Sequence, residues 1–291
     1  IYIWKSKNVY NIHCIYIGNS AYIGGGLNIQ KCENVTYVIH CIFTANRAFS
    51  GGGLMMEQIE NVYIYSTDIR NSASRYGGGA YMTNIINIVH INCKYDQNMN
   101  IGRSKSYGGG LYIQKSENVS KINCIFTRNK AQRRGTGGAV HIRDVISVVF
   151  TNCKYIQNEA PHGGGLYIKK SKSVSQINCT FTGNKAQRKG NGGAVHIWDV
   201  ISIGFTNCKY IQNMANYGGG LCIKKSKIVS QINCVFTGNK AEAYNTVCEI
   251  DWWDMPYADG GGIYIRDVIN IALTNLKFNQ NQADCSGGGL Y

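Results

Sequence analysis

The chain has 291 residues and a formal net charge of +14, from 30 Lys and Arg against 16 Asp and Glu. Its apolar stretches fall far short of the roughly 20 residues a membrane-spanning helix needs, so no transmembrane segment is expected in it. The basic balance favours acidic polymers, sulfated or uronic glycans or anionic surfaces; nucleic acid is not an expected partner, because no recognised binding motif or aromatic-basic platform accompanies the charge.

From Ile1 onward the chain is built of short stretches rich in Ile, Val, Tyr, Phe and Thr, the residues that favour strands. A glycine signature first appears at Gly24-Gly25-Gly26-Leu27 and returns ten times in all, beginning at positions 24, 51, 77, 108, 137, 163, 192, 218, 260 and 287. Most steps lie between 26 and 31 residues, and one is 42. Self-similarity at such a period is the mark of a solenoid. Gly108, Gly163 and Gly218 open near-identical blocks 55 residues apart, as duplication of a two-coil unit would produce. Residues 1–291 therefore read as one continuous repeat domain with an inserted loop at 242–259. The start within a coil and the stop just after a signature suggest part of a longer chain.

Within the coil that starts at Gly108, Leu111 and Ile113 flank Tyr112, and Ser116-Glu117-Asn118 turns the chain. Val119 returns inward, and Ile122, Cys124 and Phe126 alternate with Lys121, Asn123 and Ile125, an alternation expected to send the first set inside and the second outside. No stretch has helical spacing, so the fold class is all-β. Each coil is read as three short strands bent around one axis. The crossover rule makes the stack a right-handed, single-stranded parallel β-helix of about 10–11 coils.

Stacking aligns like residues. Phe43, Tyr95, Phe126, Tyr155, Phe181, Tyr210, Phe236 and Phe278 form an aromatic ladder. Asn129, Asn158, Asn184, Asn213 and Asn239 belong to a column of ten asparagines whose amides can satisfy turn backbone and one another. Cys124, Cys153, Cys179, Cys208 and Cys234 belong to an eight-membered cysteine column, in which Cys41 is displaced by one inserted residue. Parallel Cβ vectors about 4.8 Å apart suit a thiol ladder, with disulfides between adjacent coils as the alternative. No Cys-x-x-Cys or P-loop occurs, so neither a metal nor a cofactor is expected.

Lys94, Lys154 and Lys209 occupy equivalent outward positions and make a candidate basic face. Arg133, Arg134, Arg188 and Lys189 make a second basic patch in the longer turns. Asp144, Asp199 and Asp267 recur at one turn and read as architectural, and the equivalent His141 and His196 read as packing or surface residues rather than acid-base catalysts. The insertion carries Asp251, Trp252, Trp253, Asp254 and Tyr257. Together these five are candidates for partner or glycan contact, with packing of the tryptophans onto the β-helix as the alternative, and Asp251 and Asp254 are the one close carboxylate pair a glycan-cleaving site would use.

The repeats resemble those of the chlamydial polymorphic outer-membrane protein family, in which Gly-Gly-Ala-(Ile/Leu/Val) alternates with Phe-x-x-Asn. Gly137-Gly138-Ala139-Val140 and Gly192-Gly193-Ala194-Val195 carry the first motif; Phe43 to Asn46, Phe126 to Asn129, Phe181 to Asn184, Phe236 to Asn239 and Phe278 to Asn281 carry the second. The resemblance implies a parallel β-helix displayed at a cell surface. The expected function is that of an extracellular or cell-surface structural protein, an adhesin stalk or a filament component, and not an enzyme. Expected partners are further copies or other subunits of a surface assembly, with acidic glycans as a further candidate. A polysaccharide-binding or polysaccharide-cleaving β-helix is the alternative reading.

Overall fold

The computed structural model describes residues 1–102, 106–187, 189–243 and 258–291. Among them there is no helix, and every strand pairing is parallel, in one 19-stranded and one 9-stranded sheet. The chain winds as a β-solenoid of about nine turns. Ten signatures bound nine steps, so the expected 10–11 coils counted the partial turns at either end as well.

One coil consists of strands Leu111–Ile122, Ile125–Thr127 and Lys130–Ala131. Each pairs with its equivalent in the next coil, so that Leu111 meets Val140 and Phe126 meets Tyr155. Four bends close the coil, each with a residue in the left-handed region: Gly108 (φ 65°), Lys115 (φ 47°), Asn123 (φ 54°) and Arg128 (φ 51°). For an L-residue that conformation costs about 1 kcal/mol. It persists because the bend N–H groups are tied to the next coil, Asn123 to the Thr151 carbonyl and Arg128 to the Ile156 carbonyl, both at 2.9 Å. Asp144, Asp199 and Asp267 hold the second bend in alternate coils, with φ of 54°, 60° and 57°.

The glycine signature has two separate causes. Gly108 sits at positive φ, and a Cβ there would lie 2.2 Å from the Leu111 carbonyl oxygen; one on Gly109 would lie 2.2 Å from the Gly138 oxygen of the next coil. At the third position alanine fits, as Ala139 and Ala194 show, both fully buried.

The alternation expected around Lys121 is wrong by one residue. Lys121 is fully buried beside Val119, while Ile122 is half-exposed. The bend at Asn123 resets the period-two phase, so Val119 and Lys121 point inward before it and Cys124 and Phe126 point inward after it. The displacement of Cys41 is a bulge: the register slips between Ile39 and Cys41.

Candidate interaction faces

Three of the basic residues stand together. Pairing registers Lys94, Ile125, Lys154, Thr180, Lys209, Val235 and Lys277 in one outward column, and the four lysines are exposed. Arg133 and Arg134 are exposed on the turn after Lys130–Ala131. Lys189 is exposed on the turn after Lys185–Ala186, so this second patch lies past the fourth bend, on another edge from the lysine column. Arg188 lies outside the described residues, as do Asp251, Trp252, Trp253, Asp254 and Tyr257. At the insertion's near edge the Ala243 N–H donates to Asp284 Oδ2 at 2.8 Å. A cavity of about 300 Å³ lies beside that edge, lined by Lys185, Met214, Asn216 and Glu242 among others. Among the described residues its one lining carboxylate is Glu242, which pairs with Lys240 at 2.9 Å.

The asparagines form a continuous hydrogen-bonded column. Asn129 Nδ2 donates to Asn158 Oδ1 at 3.0 Å and to the Tyr95 carbonyl of the preceding coil at 2.8 Å. Asn158 Oδ1 also accepts the Asn129 N–H at 2.9 Å. The same contacts recur through Asn184, Asn213 and Asn239 to Asn281. Each side chain thereby satisfies the backbone of the tight turn that follows the aromatic strand.

The column cysteines Cys124, Cys153, Cys179, Cys208 and Cys234 are buried free thiols. Each donates its S–H to the carbonyl two residues upstream, at 3.4 to 3.5 Å, across the left-handed bend. Cysteine therefore serves the bend as well as the core, a role its apolar spacing does not reveal. Outside the column, Cys222 is a buried thiol that burial pushes up to about 12, and Cys285 is disulfide-bonded.

Two features escaped the sequence reading. The first is a strip of outward-pointing rings packed under the residues that precede the glycines. Tyr112 and His141 meet edge-on at 4.9 Å, His141 and Tyr167 lie 4.8 Å apart, and Tyr167 and His196 5.1 Å. Burial holds the His141 imidazole down at about 3 and that of His196 well below its ordinary value, so both are neutral packing groups. The recurrence of Tyr76, Tyr107 and Tyr217 just ahead of three of the signatures was the available signal.

The second is a polar interior. Asp68 occupies the aromatic column between Phe43 and Tyr95, fully buried, and its Oδ2 accepts from Ser66 at 2.8 Å. Burial pushes its carboxyl up to about 7. Next along the stack, His90 Nδ1 lies 3.0 Å from Lys121 Nζ, and burial lowers Lys121 to about 8. Among the described residues no group of three or more His, Cys, Asp or Glu side chains is arranged to hold a metal ion.

The Chlamydia polymorphic membrane protein repeat model matches residues 178–197 and 233–266. The crystal structure of tailspike protein 3 of bacteriophage CBA120 is similar over 91% of this chain and 41% of that one, at 10% identity and a TM-score of 0.40. This chain thus corresponds to about two fifths of the tailspike's length. Among curated proteins none matches. On its repeats and on the coils they form, the chain is a parallel β-helix repeat protein similar to the Chlamydia polymorphic membrane protein repeats.

Proposed function

We propose that the protein is an extracellular or cell-surface structural element, an adhesin stalk or a filament component, that presents long lateral faces rather than a catalytic pocket. The observation that carries this reading is the registered stack itself. One set of side chains repeats over about nine turns, so each outward position becomes a line along the axis. Such a stack suits holding and displaying, because energy is spread over many equivalent neighbour contacts instead of one pre-organised constellation. The repeat match to a Chlamydia membrane protein family supports a surface setting. Catalysis would fall to Asp251 and Asp254, and binding of another subunit to Trp252 and Trp253.

Protease treatment of intact cells, followed by detection of the chain, tests the location. Loss of the protein while an internal marker survives is expected; full protection would overturn the surface role. Incubation with acidic and neutral polysaccharides is expected to release no new sugar ends. Turnover abolished by Asp251→Asn or Asp254→Asn would reverse the ranking in favour of a glycan-cleaving enzyme.

A further inference from the structure

We propose that the column Lys94, Lys154, Lys209 and Lys277 is a docking track for one extended acidic polysaccharide, with a carboxylate or sulfate on alternate sugars, lying along the solenoid axis. The proposal gives the surface role above a ligand class and depends on it only for where such a polymer is met.

The lysines recur every second coil, about 10 Å apart at the parallel-strand spacing. Among the described residues none of the four is in a salt bridge, whereas Lys130 is neutralised by Glu159 at 2.9 Å and Arg143 by Asp144 at 3.0 Å. An exposed ammonium that no carboxylate neutralises is free to meet an acidic group on a ligand, and the outward carboxylate two residues from Lys94, Asp96, pairs instead with Arg128 at 3.5 Å.

Beside the lysines runs a second outward column, two residues upstream: Asn92, Asn123, Asn152, Asn178, Asn207, Asn233 and Asn275, all exposed. These residues form the third bend position, with φ between 50° and 54°. Left-handed backbone accounts for a short polar residue there but does not choose between Asn and Asp. The chain itself supplies the control, since the preceding bend uses Asp144, Asp199 and Asp267 for the same backbone conformation. All seven coils take the neutral amide where the lysines stand close by, and neither column contains a carboxylate. Amides both donate and accept, which suits sugar hydroxyls. One pair is already aligned axially, Asn152 Nδ2 donating to Asn123 Oδ1 at 3.2 Å. Between the lysines stand Ile125, Thr180 and Val235, and Ile125 is 37% exposed, which offers the C–H faces of a sugar chain an apolar seat.

The test measures binding of the 291-residue chain to immobilised hyaluronan, chondroitin sulfate and neutral dextran. A variant with Lys94, Lys154, Lys209 and Lys277 all changed to Gln is compared with one in which Lys31, Lys115, Lys170 and Lys225 are changed. The second set removes the same charge from exposed bend positions elsewhere on the coil. The expected result is binding of at least one acidic polymer and not of dextran, lost at least tenfold in the first variant and less than twofold in the second. Both variants should keep the parent's thermal midpoint, as substitutions of exposed side chains do. Hyaluronan against chondroitin sulfate separates carboxylate from sulfate recognition. Equal losses in the two variants, or no binding of either acidic polymer by the parent, would overturn the track. Protease treatment of cells reads the surface location separately, so either idea can fail alone.

Discussion

Between Ser66 and Lys121 the interior carries ionisable side chains, whereas between Phe150 and Phe236 it is neutral and periodic. In the first region Asp68 replaces a ring, and His90 and Lys121 replace aliphatic or aromatic side chains, all with no measurable exposure. In the second, coils with Tyr155 or Tyr210 carry Phe150 or Phe205, and coils with Phe181 or Phe236 carry Gln176 or Gln231. Each layer thus holds one neutral polar group beside one extra ring. Rings there stack at 4.5 to 5.1 Å. The asparagine column nevertheless crosses both regions unchanged, its amide contacts lying between 2.9 and 3.1 Å. Register is therefore held by the turn and its amide, and the interior columns are free to differ from coil to coil.

The largest effect should come from breaking that common element in each region. Asn184→Ala removes bonds from Nδ2 to the Tyr155 carbonyl (2.9 Å) and Asn213 Oδ1 (3.0 Å), and to Oδ1 from the Asn158 side chain (3.0 Å) and N–H (3.1 Å). Asn71→Ala removes the same set around Phe43, Asn98 and Asn46. With stranded buried groups at roughly 1–3 kcal/mol each, both should lose about 4–6 kcal/mol in urea unfolding followed by circular dichroism. Losses differing by more than about 2 kcal/mol would end the view that one scaffold serves both regions.

Next in size is pH. Folding raises the Asp68 carboxyl from 3.8 to about 7, so the folded state holds the proton more tightly than the unfolded chain. Its contribution is full below pH 4 and is lost as pH rises toward 7, a span of about 4 kcal/mol. Asp68→Asn should flatten that part of the stability profile, while substitutions confined to Phe150–Phe236 should leave it. A profile unaltered by Asp68→Asn would refute the assignment.

A smaller gain is expected in the neutral region. Both polar atoms of the Gln176 side chain are buried without a partner. Gln176→Leu, which keeps the volume, should raise stability by about 1–3 kcal/mol. A loss on this change would mean that the amide is satisfied in solution. The smallest effect concerns the bends common to both regions: Lys170 is exposed at φ 52°, and Lys170→Gly should stabilise by less than about 1 kcal/mol, against a loss for Lys170→Val.

The repeat made much of this fold readable in sequence. Glycines that are required twice over cannot drift, and an asparagine that closes every turn cannot be exchanged without stranding backbone groups. Lys94, Lys154 and Lys209 fell into one column because coil spacing alone fixes which outward residues align. Phase within the coil was harder, since a single left-handed residue such as Asn123 inverts the inside-outside pattern and sent Lys121 to the wrong face. Asp68 was hidden for a related reason: one carboxylate in an aromatic column looks like a gap in the repeat. The buried ring strip was missed because Tyr112 and His141 point away from the main core and are covered only by residues just ahead of the next glycines. The candidate contacts at 251–257 lie outside the described residues, and their chemistry rests on the sequence alone.

The amide column also has a direction. From one asparagine to the next, every rung from Asn19 to Asn239 donates Nδ2 to the amide oxygen on its C-terminal side, and from Asn46 onward each Oδ1 accepts from the asparagine on its N-terminal side. The stack is therefore a vector: in the contacts between asparagines, the N-terminal face of a coil offers amide oxygens and the C-terminal face offers N–H groups. A further coil, whether from this chain or from another copy, can extend the column in one sense only. Two like faces would set donor against donor or acceptor against acceptor. Any axial joint that continues the amide column must be heterologous, and repeating it lengthens a polar array instead of closing a two-fold pair.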